Sequence, residues 1–177
     1  PAMITMLLQI VQHTPVWVWG LLAGLVAYGV SQARDREVGL ARITILPLVM
    51  LALSFSGVVS AFAHAGIALL AWAAGIAVAL SVGRPLVQAR GARWDGTTGL
   101  LHVPGSWAPL VLIVALFLIK YIVGVTFALH HELASNTLFG AACGLAYGTF
   151  SGLFAARALG LRRLAVAPRA AAASLAG

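Results

Sequence analysis

One lysine stands where lysines are costly. Lys120 is the only lysine of the chain, and it falls in an apolar run, residues 110–126, that carries no other charge. Helix geometry puts it about 20 Å from Trp107 and about 14 Å from Leu129, too deep for a lysine stem to snorkel out unaided. Insertion scales set the cost of a central lysine at roughly 2.5–3.5 kcal/mol, so such groups face a cavity or a partner. The acidic residues, Asp35, Glu37, Asp95 and Glu132, all lie outside the apolar runs. The ammonium must therefore use carbonyls, hydroxyls, water or an anionic ligand, or give up its proton. Hydroxyls are available at Ser54, Ser56 and Ser60, at Tyr147, Thr149 and Ser151, and at Tyr28. Ser56, Ser60 and His64 recur every fourth residue, which makes a polar stripe on one helix face. Gly124 and His131 share the face of Lys120, because eleven residues are close to three turns. The expected solute, anion or proton site is Lys120 with Ser56, Ser60, Tyr147 and His131, leading outward. The competing expectation is a lysine that caps carbonyls freed by a helix break near Pro47.

Histidine supplies a second chemistry. His13, His64, His130 and His131 gather at one end of the apolar segments with Glu132 beside them, and only His102 maps to the other. Imidazoles with a carboxylate suit zinc or copper, or haem if two of them turn inward. Their spacing matches no compact metal motif, so surface histidines at helix ends compete with this reading. No cofactor is required by the sequence. Cys143 sits among small residues and reads as packing. Ser54 and Ser56 have no acid–base pair near them in sequence, so a hydrolase is not supported. Arg34-Asp35-Arg36-Glu37 with Arg42 could hold a lipid phosphate, against an ordinary interfacial charge cluster. No catalytic or nucleotide-binding signature appears, and an enzyme is not expected.

These residues must be positioned by helices in hydrocarbon. Of 177 residues 62% are hydrophobic and 8% charged, and the mean hydropathy is +1.01. A soluble globule runs nearer half apolar and a quarter charged, and disorder needs the opposite composition. An integral membrane protein is what remains. Crossing the hydrocarbon takes about 20 apolar residues, and five stretches qualify, at about 15–31, 40–62, 65–83, 107–129 and 136–159. They make a single transmembrane domain over residues 1–177. A further apolar run, 3–11, precedes the first and reads as an interfacial helix or as the start of a long tilted span, with a break at Pro15. No signal peptide is expected, since no charged n-region precedes the first apolar stretch.

The net charge of +7 would suggest nucleic acid, but the arginines serve topology instead, and no nucleic-acid partner is expected. All ten fall in three places: 34–42, 84–93 and 157–169. With five spans these share one side, and the opposite side has no Arg or Lys. The positive-inside rule then puts the N-terminus outside and the C-terminus inside. Trp17 and Trp19 suit an outer aromatic belt, and Trp94 and Trp107 an inner one. The cytoplasmic connection, 84–106, reads as a small two-stranded hairpin around Asp95-Gly96 and Gly99, or as an irregular loop.

Gly140, Gly144, Gly148 and Gly152 recur every fourth residue and turn only about 40° per step, which forms a smooth ridge. Such ridges let helices approach closely in lipid. Gly20 and Gly24 repeat the device in the first span, and Ala71, Gly75, Ala79 and Gly83 in the third. The ridge serves packing within the chain or a homodimer seam through the fifth span.

The runs Pro15-Val16-Trp17-Val18-Trp19-Gly20 and Ser31-Gln32-Ala33-Arg34-Asp35-Arg36, with Leu46-Pro47, Pro104-Gly105-Ser106-Trp107 and Lys120-Tyr121, carry a resemblance over nearly the whole chain. It resembles an uncharacterised family of small multi-pass bacterial inner-membrane proteins. That family has no assigned activity, so the resemblance implies a location but transfers no functional residue. The expectation is an all-α integral membrane protein of the bacterial inner membrane, with the lipid bilayer and a small solute or ion as partners. Lys120 would carry binding or translocation. Outer-face metal or haem chemistry, and a non-catalytic scaffold or assembly role, are the alternatives.

Overall fold

The computed structural model describes residues 14–62 and 65–175, together with Thr5 and Gln12, with side chains as far as Ala167. The apolar run at 3–11 and His13 and His64 lie outside the described residues, apart from Thr5. Five long helices follow the sequence expectation closely: α1 (Val16–Ser31), α2 (Leu40–Ala61), α3 (Ala65–Val82), α5 (Ala108–Leu129) and α6 (Thr137–Leu175). A single short turn, α4 (Arg84–Val87), follows α3, and a 3-10 turn (His131–Ser135) links α5 to α6. The start of α1 is set by Pro15, whose extended backbone precedes the first helical turn, as a residue with fixed φ and no N–H allows. Four of these helices are long and apolar enough to cross a membrane, and α1 is a shorter apolar helix. Their outward faces stay apolar: Leu70 is 73% and Leu138 80% exposed, a surface that soluble monomers do not present over such an extent.

The residues after the fifth span, expected to be a short tail, instead continue α6 without interruption to Leu175. Alanine and arginine are good helix formers, and the helix runs on through Gly160 and Pro168.

The expected hairpin is present as β2 (Arg93–Asp95) and β3 (Leu100–Val103), antiparallel with Trp94 opposite Leu101. Its turn is held by Asp95, whose carboxylate accepts from the Thr97 amide at 2.9 Å and the Thr98 hydroxyl at 2.7 Å. Gly99 takes φ +69° there, a conformation that glycine adopts freely. A third strand, β1 (Arg36–Val38), was not anticipated; it pairs with β3 in the order β1-β3-β2. The inner face of this sheet is the fully buried pair Leu101 and Val103, packed on Val38, Ile43, Ala158 and Leu161. It therefore ties together the loop after α1, the loop before α5 and the far part of α6. The three arginine-bearing segments consequently lie at one end of the molecule.

A tight crossing fixes the loops further. The Gly105 amide donates to Asp35 at 2.7 Å and the Ser106 amide to the Gln32 carbonyl at 3.1 Å. A side chain on Gly105 would collide with the Ala33 carbonyl, so glycine is required at this approach.

The main helix pairing is α3 on α6. A Cβ on Gly144 or Gly148 would collide with the carbonyls of Ala68 and Trp72, and one on Gly152 would stand 2.7 Å from Ala79 Cβ and 2.9 Å from Ile76 Cα. From the other side, a Cβ on Gly75 would lie 2.5 Å from the Leu145 carbonyl oxygen and 2.8 Å from the Thr149 nitrogen. The glycine ridge is thus used for packing within the chain, the first of the two readings of its spacing. Helix α5 runs antiparallel to α1, with Gly29 against Leu110 at one end and the Thr14 and Tyr121 hydroxyls 2.5 Å apart at the other.

Candidate functional site

Lys120 lies twelve residues into α5, about 18 Å along its axis. The residue is exposed along its flank, but its ammonium turns back toward α6. Nζ stands 5.0 Å from the centroid of the Tyr147 ring. It also sits beside α2 at Gly57, where a Cβ would be in ordinary contact with Nζ at 3.5 Å. The ring face of Tyr147 offers the cation partial negative charge. Such a contact contributes about 0.5–2 kcal/mol, more as water is removed. The ring cannot drift, because Tyr147 is buried in a cluster with Val58, Phe62, Ala68 and Cys143. Behind it Ser54, also buried, accepts from Trp72 Nε1 at 2.8 Å and donates to the Tyr147 carbonyl at 3.4 Å. Among the described residues the one ion pair is His130 with Glu132, so Lys120 has no carboxylate.

Two turns either way along α5, the face of Lys120 is closed by apolar groups. Phe127 lies on the side of the 3-10 turn, edge to face with Phe62 at 5.6 Å and Phe139 at 5.7 Å between ring centroids. Ile113, buried, lies on the side of the sheet. Apolar groups thus flank the cation in both directions along α5.

Of the expected partners, the structure brings only Tyr147 to Lys120, and through its ring. Ser56 and Ser60 are exposed, and the Ser60 hydroxyl donates to the Ser56 carbonyl at 2.8 Å, satisfied within its own helix. His131 is exposed in the 3-10 turn, beyond the three phenylalanines. The expected polar path from Lys120 to His131 is therefore interrupted by Phe62, Phe127 and Phe139. The break at Pro47 does not hold Lys120 either: α2 runs unbroken through Pro47, ten residues from the contact at Gly57.

Of the histidine group, His130 Nδ1 pairs with Glu132 Oε1 at 3.0 Å. A backbone hydrogen bond at Glu132 and this contact hold the Glu132 carboxyl below its ordinary value. Among the described residues no three His, Cys, Asp or Glu side chains gather closely enough for a metal ion.

Sequence reasoning missed Arg157. It counted with the basic tail, but in α6 it is only 7% exposed. Its Nη1 donates to the Val87 carbonyl at 2.7 Å, and its Nη2 is buried with no hydrogen-bond partner. The signal was helical phase: five residues from Arg162 is about 140° round the helix, so the two arginines cannot share a face.

No curated protein and no solved structure matches the chain. A family model does, over residues 2–173, and with that extent of match the chain belongs to the family of unknown function DUF6622.

Proposed function

We propose that the chain crosses the bacterial inner membrane five times, with its N-terminus outside and its arginine-bearing end in the cytoplasm, and that it binds or moves a small solute, anion or proton at Lys120. The observation that supports this reading is an ammonium without a carboxylate, turned into the groove between α2 and α6 and resting on the Tyr147 ring. Apolar stops on both sides give such a group the character of a binding station, where a mobile anion or an exchanged proton would compensate the charge. The orientation is supported by the gathering of all three arginine segments at one end, which the positive-inside rule assigns to the cytoplasm. A homodimer would use α1, where Cβ atoms on Gly20 and Gly24 would meet nothing.

The test is flux into proteoliposomes, with a trapped pH indicator for protons and radiolabelled inorganic phosphate and chloride for anions. Lys120→Met should abolish the flux that the wild type supports, and Lys120→Arg should retain it if an anion is bound. Equal flux through wild type and Lys120→Met, at equal incorporation, would overturn the proposal.

A further inference from the structure

Where the helices meet the small sheet, a cleft opens that the Lys120 reading does not use. It is half open, with about 640 Å³ of space when the solvent at its mouth is counted, and Arg36 from β1, Arg42 from α2 and Arg157 from α6 all line it. Tyr28 of α1 and the buried Gln32 just after it add polar edges, and Pro47, Ile113 and Phe154 are among the apolar lining. Three arginines from three different elements thus line one opening, near enough for Arg36 to feel the like charge of Arg42, and Arg157 that of Arg36.

Neither acidic residue of the neighbouring loop neutralises them. Asp35 is engaged by the Gly105 amide at 2.7 Å, and Glu37 alternates to the exposed side of β1. None of the three arginines forms an ion pair among the described residues. Arg36 donates to the Gln32 carbonyl at 2.9 Å, a neutral partner. Burial lowers the Arg36 guanidinium from its ordinary value, Tyr28 acts to raise it, and the like charge of Arg42 lowers it again. Arg157 is the sharpest case, because a buried guanidinium with an unpaired Nη2 is held in place by a single carbonyl. A buried guanidinium with an unsatisfied donor, beside the like charge of the half-buried Arg36, is unfavourable unless something else supplies negative charge and acceptors.

The chemistry of the donors narrows what that is. Guanidinium groups are planar forks that pair with phosphate oxygens two at a time, and several of them around one opening match a tetrahedral oxyanion better than a halide. We propose that this cleft binds a phosphate group, with Arg157 at its inner end and Arg36 and Arg42 at its mouth. At the arginine-bearing end of the helices that group comes either from a phospholipid headgroup or from a soluble phosphate compound. Recognition is the same in both cases. The proposal stands apart from Lys120, which lies two turns further along α5 beyond Ile113.

The full chain, purified in a phosphate-free maltoside detergent, separates the possibilities by calorimetry and thermal melting. Inorganic phosphate and a short-chain phosphatidic acid are titrated separately, against chloride at matched ionic strength. Saturable binding of one or both, weakened at least tenfold in Arg157→Met and in Arg42→Gln, supports the cleft. Arg42 is exposed, so its variant remains informative if Arg157→Met fails to fold. Binding of phosphate itself identifies a soluble source, and binding of the lipid alone identifies a headgroup. Arg162→Gln, at an exposed position outside the cleft, should bind as the wild type does. No saturable binding of either probe, or binding unchanged in Arg157→Met and Arg42→Gln, overturns the proposal.

Discussion

Replacing Gly75 by alanine puts the seam between α3 and α6 under a measurable load. The added carbon would stand 2.5 Å from the Leu145 carbonyl oxygen and 2.8 Å from the Thr149 nitrogen. Both are backbone atoms of a regular helix, so no side-chain rotation relieves them. Unstrained contact needs about 3.5 Å, and the two helices must part by about 1 Å locally. A gap of that size forfeits a quarter to a half of each dispersion contact, itself about 0.1–0.2 kcal/mol. Over the tens of atom pairs along the glycine ridge the loss is about 1–3 kcal/mol, in the range of overpacked cores. Alanine returns up to about 1 kcal/mol of helix propensity. Gly160→Ala, with nothing near its added carbon, measures that return alone. Unfolding in mixed micelles by graded addition of dodecyl sulfate, followed by circular dichroism, should place Gly75→Ala about 1–3 kcal/mol below Gly160→Ala. Gly152→Ala should behave similarly, since its carbon would meet Ile76 and Ala79 of the same seam. The double variant should cost less than the sum, because one parting of the helices relieves both collisions. If Gly75→Ala proved as stable as Gly160→Ala, α3 and α6 would not be in backbone contact.

Two further outcomes follow from the sheet. Leu101→Ala removes a fully buried side chain and should cost about 2–5 kcal/mol, seen as early loss of amide protection in β1 and β3 while the helices persist. The Asp95 carboxyl is held down to about 2 by the side chains of Thr97 and Thr98 and the Thr97 amide, below the usual value of about 3.9. Its folded value is depressed, so its contribution is complete above the unfolded value and is lost as pH falls through about 2. Exchange of the Thr97 amide should accelerate relative to neighbouring amides over that acid window, and Asp95→Asn should show no such step.

Much of the helical frame could be read directly. The bounds of α2, α3 and α5 fall within a residue or so of the apolar runs, because spanning length and composition leave few other solutions. The hairpin was visible in Asp95-Gly96 and Gly99, whose turn chemistry is local. β1 was not visible: three residues are too few to show alternation, and their strand state comes from pairing with β3. Lys120 was conspicuous as a charge in an apolar run, but its partner was not, since seven hydroxyl-bearing residues competed on equal terms. Arg157 was hidden in a basic cluster that topology alone already explained.

Composition and charge placement by themselves determined a chain suited to hydrocarbon, its five long helices and the segregation of its arginines. Each of these depends only on length, local propensity and the cost of charge in an apolar medium. Only the tertiary structure decided that the glycine ridge meets α3, that Lys120 rests on Tyr147 and that three arginines converge on one cleft. The physical reason is that these helices are apolar almost all round. Sequence periodicity then fixes which residues share a face, but close packing of small residues chooses which neighbour covers it.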